Sequence, residues 1–256
     1  MKLKQYLWIV ICLIALAVSV LPTYSQEFFQ AHAGFQVSTL GALQAGVYQG
    51  AATIAELKHH GNFGLGTLEG LDGEMVILDG KFYQIKSDHV AYPVADGSKT
   101  PFSTVTFFCR WRSFHLPGKM NYQELQRQID KHLPKQNLPY AIRIKGSFPS
   151  LRVRSVPKQA PPYRHLKDVL SQQQVEFKLP NVGTNVQGTL VGFWLPQYFK
   201  DVNQAGYHFH FIKSDSTTGG HLLDGVFINP TVDVQPLQDW QIMLPNNTAF
   251  EQALLE

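Results

Sequence analysis

The segment Gly206-Tyr207-His208-Phe209-His210-Phe211-Ile212 constrains this chain more than any other. Its apolar and polar residues alternate with a period of two, which is the period of a β-strand with different demands on its two faces. Phe209 and Phe211 claim one face for a core, and His208 and His210 project from the other. The polar run Lys213-Ser214-Asp215-Ser216-Thr217-Thr218 follows and reads as a turn. Gly219-Gly220-His221 then opens a second strand. An antiparallel hairpin with an even-length loop puts His221 on the same face as the first pair. Three imidazoles converging with no fourth ligand nearby in sequence form the ligand set of an open catalytic zinc site. Neutral imidazole also suits Fe, Ni, Cu and Mn. The competing reading is a polar strand face carrying three unrelated histidines.

The rest of the chain is rich in strand signals. Thr53-Ile54-Ala55-Glu56 has capping-box spacing and predicts a short helix ended near Gly61. Gly64 to Gly70 looks like a phosphate loop but leads into strands joined by Asp72-Gly73 and Asp79-Gly80 turns, not into a helix, so the dinucleotide reading fails. Asn121 and Glu124 cap a second predicted helix running towards Pro134, and Leu166, Val169 and Leu170 mark a third. Residues 104–110, 140–144, 151–156, 186–194, 207–212, 221–228 and 231–234 read as strands. The fold class is therefore α+β, with two strand-rich halves of mostly antiparallel or mixed sheet and a few short helices. The repeat of G-T-L-x-G at 66–70 and 188–192 hints at internal duplication. The expected organisation is a signal peptide at 1–25, a mixed-sheet domain at 26–150, and a β domain at 151–256 carrying the histidines.

Lys2 and Lys4, the apolar run Leu7 to Leu21 and the sequence Thr23-Tyr24-Ser25-Gln26 have the form of a secretory leader, with cleavage between Ser25 and Gln26. The run is shorter than the ~20 residues of a membrane span. Export to the periplasm or the outside is expected, with no stable membrane association after cleavage. Without Lys2 and Lys4, the 22 basic residues become 20, against 19 acidic. This near-neutral balance lacks the basic stripe of a nucleic-acid partner. Of the two cysteines only Cys109 would remain, so no internal disulfide can form; it reads as a buried apolar residue. His59, His60, His89, His115, His132 and His165 have no ligand spacing and read as exposed.

Two further positions carry possible chemistry. Glu74 opens a strand after the Asp72-Gly73 turn and is either an ordinary turn carboxylate or one that reaches the metal cavity. Arg152 and Arg154 share a strand face, either solvated or recognising an anion, because guanidinium grips carboxylate in a two-pronged way. Serine-hydrolase, zincin and zinc-ribbon motifs are absent.

Several segments resemble the α-acetolactate decarboxylases. They are G-x-G-T-L-x-x-L-D-G-E from Gly64 to Glu74, Thr100-Pro101-Phe102 through Phe108, and Tyr140 to Gly146. Arg154-Ser155-Val156, Gly188 to Phe193, and Gly206 to Ile212 continuing through His221 complete the set. The resemblance covers about residues 35 to 256. It implies conversion of 2-acetolactate to (R)-acetoin and CO2, with His208, His210 and His221 matching the family's zinc ligands. It also implies that zinc acts as a Lewis acid on an enediolate, that Glu74 delivers a proton and that Arg154 orients or stabilises the reacting group. A homodimer is implied as well. The resemblance also implies a longer C-terminal tail with a metal-approaching glutamate; here Glu251 and Glu256 are the only late carboxylates, neither aligns with it, and the role falls to Glu256, to water or to nothing.

Two other readings compete. A cupin-like oxygenase or isomerase also uses H-x-H on a strand, but expects a glutamate a few residues after the pair, where Lys213 to Ser216 stand. A non-enzymatic exported metal-binding module would not need Glu74 and Arg154 to face the histidines.

Overall fold

The computed structural model describes residues 32–255 except 181, 182 and 184. The expected leader at 1–25 and Glu256 lie outside the described residues. In chain order the first elements are β1 (Ala33–Val37), α1 (Leu40–Gln44), β2 (Ala52–Thr53), α2 (Ile54–Lys58), β3 (Phe63–Thr67), β4 (Glu74–Leu78), β5 (Lys81–Ile85), β6 (Ala91–Pro93), β7 (Lys99–Thr100) and β8 (Phe102–Thr106). There follow β9 (Arg112–His115), β10 (Lys119–Asn121), α3 (Tyr122–Asp130), β11 (Tyr140–Ser155), α4 (Leu166–Gln173), β12 (Val175–Leu179), β13 (Val186–Leu195), β14 (Gly206–Lys213), β15 (Gly219–Pro236), β16 (Asp239–Met243) and α5 (Thr248–Gln252).

Two large sheets form the body. The first runs β16-β1-β8-β3-β4-β5-β6, and the second runs β10-β15-β14-β13-β11-β12 with β9 also on β15. Neighbours are antiparallel except β1 and β16. In the second sheet β15 also pairs with β11, so β11, β13, β14 and β15 close into a ring without a free edge. Long strands make closure possible only by bending, and β11 bends at register shifts around Gly146 and Pro149. Those two residues interrupt the alternation, which is why the sequence reads as two strands where the structure has one.

The expected boundary at 150/151 falls inside β11, and sheet membership does not follow it. The early strands β9 and β10 join the second sheet, and the last strand, β16, joins the first. The two G-T-L-x-G segments also occupy different places. Gly66 to Gly70 leaves the end of β3 for a loop, whereas Gly188 to Gly192 lies within β13.

The layers follow from burial. Ile54 and Leu57 of α2 cover the outer face of the first sheet, against Val37, Met75, Ile77 and Val105. Its inner face offers Phe63, Leu65, Val76 and Ile85 to Ala141, Val191, Phe193 and Ile212 of the second sheet. Strands β3, β4 and β8 are therefore buried on both faces, which accounts for the unbroken apolar run Met75-Val76-Ile77-Leu78. Phe148, Phe209, Phe211 and Phe227 meet in the second sheet's own core, together with Leu125 and Ile129 of α3. Each fully buried phenylalanine there contributes about 1.5–3 kcal/mol by leaving water. Local signals act as read: Thr53 and Glu56 form the full capping box of α2, and Asn121 accepts from the Glu124 N–H at the start of α3. The two-residue Asp79-Gly80 turn joins β4 and β5, with both residues at positive φ.

The expectations for four residues fail. Cys109 is exposed, because β8 stops at Thr106 and the chain has left the sheet by that point. His60, His89 and His132 are half-buried, each stacked on a phenylalanine (Phe35, Phe177 and Phe114) with ring centroids 3.6, 3.6 and 4.1 Å apart. An imidazole offers a flat apolar face as well as two polar nitrogens, and the face decides these three positions.

Candidate metal centre and active-site cavity

The β14–β15 hairpin places His210 directly opposite His221. On the other side of β15, His221 lies directly opposite Arg154 of β11. A single row across three strands thus sets His210, His221 and Arg154 side by side, and His208 joins from two positions back along β14. Gly192 permits the packing behind this row. A Cβ there would lie 2.3 Å from the Phe209 ring and 2.1 Å from the His208 carbonyl oxygen, so any side chain would push the ligand strand away.

The three ring nitrogens converge. His208 Nε2 lies 3.3 Å from His210 Nε2 and 3.2 Å from His221 Nδ1, and the last two are 3.2 Å apart. His210 Nδ1 lies 2.9 Å from the Met75 carbonyl oxygen, which can only accept, so Nδ1 carries the proton and Nε2 presents a lone pair to the centre. Three mutually touching nitrogens cannot all be satisfied by N–H donation among themselves. A cation at their centre satisfies all of them. Bonds of about 2.0–2.1 Å to a tetrahedral ion imply ligand separations of roughly 3.3–3.4 Å, close to those found. The residues present therefore fit a small divalent metal.

Burial keeps these imidazoles neutral. It drives the pKa of His208 well below its usual range, helped by His210 and Arg154, and drives that of His221 down likewise, helped by Arg154 and the other two histidines. It lowers that of His210 to about 3, although the Met75 hydrogen bond opposes the shift. Neutral imidazole is the form that binds metal.

Glu74 reaches the same centre from the opposing sheet. Gly73, at φ +76°, makes the turn that starts β4; its N–H donates to the Val156 carbonyl just beyond β11. Thr67 Oγ1 donates to the Gly73 carbonyl at 2.7 Å. These bonds aim Glu74, which is only 7% exposed, at the histidines. Its Oε2 is 3.3 Å from His210 Nε2, and its Oε1 accepts from Arg154 Nη1 at 3.0 Å. Burial raises the Glu74 pKa, and the Arg154 charge opposes the rise without cancelling it. Arg152, two residues earlier, is exposed and pairs with Glu176 at 2.7 Å, so the two arginines have separate roles. Glu251 lies on exposed α5 and does not line the cavity, and Glu256 is outside the described residues.

The centre floors a cavity of about 420 Å³. Its outer wall is aliphatic, with Leu40 and Leu43 from α1 and Leu166 and Leu170 from α4. Tyr122 and Gln126 of α3 add polar groups, and Tyr207 borders the cavity beside His208. The sequence singled out none of these wall residues for function, nor the Met75 carbonyl. The leucines follow ordinary core spacing, and a backbone carbonyl leaves no residue signature. The facing of Glu74 and Arg154 into the histidine cavity removes the ground for a module that binds metal without chemistry. The cupin-like pattern lacks its glutamate in sequence, and the carboxylate here arrives from another sheet.

Comparisons with known proteins follow the same lines. Residues 35–256 match the family model described as alpha-acetolactate decarboxylase. A protein of that name from Methylococcus capsulatus is 45% identical over 222 residues, covering 87% of this chain and 84% of the relative. One from Methanosarcina mazei is 49% identical over 191 residues, covering 74% of this chain and 64% of the relative, so the match spans just under two thirds of that protein. The crystal structure of alpha-acetolactate decarboxylase from Bacillus subtilis strain 168 is 37% identical and superposes with a TM-score of 0.83, covering 88% of this chain and 94% of that one.

Proposed function

The chain belongs to the alpha-acetolactate decarboxylase family of carboxy-lyases, and from that premise we propose that it converts 2-acetolactate to (R)-acetoin and CO2 at the His208–His210–His221 centre. The observation that carries this reading is the contact of a buried carboxyl, Glu74, with both a cation and the imidazole cluster.

The reaction breaks the bond from the carboxylate to the hydroxyl-bearing carbon. The bonding pair passes towards the neighbouring ketone oxygen as an enediolate, and one proton then closes the carbon. A divalent metal, zinc being one that matches the nitrogen spacing, would be held by His208 Nε2, His210 Nε2 and His221 Nδ1 and would supply a Lewis acid for the developing oxygen charge.

The chain's own groups do the rest. Arg154, fixed in the cross-strand row, presents its guanidinium to the substrate carboxylate or to the charge that replaces it. Glu74, whose pKa burial raises, is placed to give up the single proton the reaction consumes. Delivery from one fixed side accounts for a single enantiomer. Once ionised, Glu74 is stabilised by the adjacent Arg154. The aliphatic wall excludes water and faces the two methyl groups of the substrate.

The leader sequence supports an exported enzyme with a mature start near Gln26, checked by N-terminal sequencing of protein secreted from the native host. The homodimer implied by the family is checked by sedimentation. The central test is acetoin formation from racemic acetolactate by purified protein, with and without a chelator. Chelator-sensitive production of one acetoin enantiomer supports the reading. A metal-loaded protein that forms no acetoin overturns it.

A further inference from the structure

Helix α3 ends in a residue that its own electrostatics disfavour. Asp130 puts a carboxylate at the C-terminal end, where the helix dipole is negative and a basic residue is preferred. Its partner is Tyr207, the residue just before His208. Tyr207 Oη donates to Asp130 Oδ1 at 2.7 Å and lies 3.3 Å from the Gln126 carbonyl oxygen. Burial, and then the Asp130 acceptor, push the Tyr207 pKa far up, so the phenol keeps its proton. The Tyr207 ring is wedged between Phe209 and Trp194, with centroids 5.9 and 6.4 Å away.

The consequence lies on the same face of the helix, one and two turns back from Asp130. Tyr122 and Gln126 of α3 line the substrate cavity. The start of α3 is anchored because β10 runs straight into it and pairs with β15. Leu125 and Ile129 bury its apolar face, but apolar packing is non-directional and leaves sliding and rotation cheap. The Tyr207 hydroxyl is directional, and it ties the far end of the helix to the strand that carries His208 and His210.

We propose that Tyr207 is a positioning residue that acts through Asp130 to hold α3 in place, so that Tyr122 and Gln126 form the substrate-facing wall in fixed relation to the imidazole centre. This rests on the decarboxylase reading for its kinetic consequence and on geometry alone for its structural one.

Tyr207→Phe removes the hydroxyl and keeps the ring. Expected are a KM for acetolactate raised roughly five- to tenfold, the size of one lost hydrogen bond of ordinary net strength, with kcat within about twofold and unchanged metal content. Asp130→Leu should reproduce both numbers, and the double variant should add nothing. Asp130→Asn keeps an acceptor oxygen and should restore the wild-type KM. Amide hydrogen exchange over residues 122–130 gives a readout independent of activity: faster in Tyr207→Phe and Asp130→Leu, unchanged in Asp130→Asn. Unchanged exchange in the first two overturns the latch, whatever the catalytic activity. Faster exchange with an unmoved KM, or with kcat lost in place of KM, overturns its role in positioning. An inactive wild-type protein whose exchange follows the expected pattern sinks the decarboxylase reading and leaves the latch standing.

Discussion

The two ends of the cavity are built by different means. The inner end consists of polar groups on strands: His208, His210, His221 and Arg154 from the second sheet, and Glu74 from the first. The outer end consists of aliphatic side chains on the short helices α1 and α4. Strands held on both sides by backbone ladders place a side chain within tenths of an ångström, which directional chemistry demands. Helices held by apolar contact place a surface, which exclusion of water demands. A substitution at the inner end should therefore act mainly on kcat, and one at the outer end mainly on KM.

The largest break in that contrast is His210→Ala. Losing one of three ligands should remove the metal and with it several kcal/mol of transition-state stabilisation, more than about 10³-fold in kcat. Metal analysis and acetoin formation check it, and retention of both would refute the site. Acid should come next, acting on metal-free protein. Because the folded pKa of His210 lies near 3, below its ordinary 6.5, the unfolded chain binds more protons between those values. The stability contributed by the neutral ring is thus complete above about pH 6.5 and is lost as pH falls towards 3, on the order of a few kcal/mol. Denaturant titrations across that window should show a steep decline, with His210→Asn making it shallower while His208 and His221 keep the remainder.

Glu74→Gln keeps the shape and loses the proton. A drop of about 10²–10³-fold in kcat with little change in melting temperature is expected, and rates near wild type would assign the proton to another group. At the outer end, Leu170→Ala should raise KM by roughly tenfold, near the lower end of the ~1–3 kcal/mol that a methylene in an apolar pocket is worth, because Leu170 is only half-buried. A kcat loss matching that of Glu74→Gln would erase the distinction between the ends. The smallest effect belongs to Arg152→Ala, which removes an exposed ion pair. Stability should move by about 0.5 kcal/mol or less and activity not at all, although the residue is two positions from Arg154.

The arginine pair shows where sequence reading stops. By strand alternation Arg152 and Arg154 are equivalent. They differ because Arg154 sits opposite His221 in the β11–β15 register while Arg152 faces Glu176 and solvent. A register shift in β15 gives them different partners on that strand, Asp224 for Arg152 and His221 for Arg154. Cys109 teaches the same lesson in reverse, since an apolar run continues past Thr106 but its partner strands do not.

The histidine triplet is legible in the sequence because it depends on one hairpin. Strand period and loop length fix which side chains share a face, and both are local. The turns at Gly73 and Gly80 and the caps of α2 and α3 are legible for the same reason, each being decided within about four residues. Only the tertiary structure brings Glu74 across from the other sheet, points the Met75 carbonyl at His210, bends β11 through the expected boundary and hangs α3 on Tyr207. Each of these joins residues 70 or more positions apart. Such contacts follow from how two sheets pack face to face, and the energy that selects that packing is spread over the whole buried interface and written in no single segment.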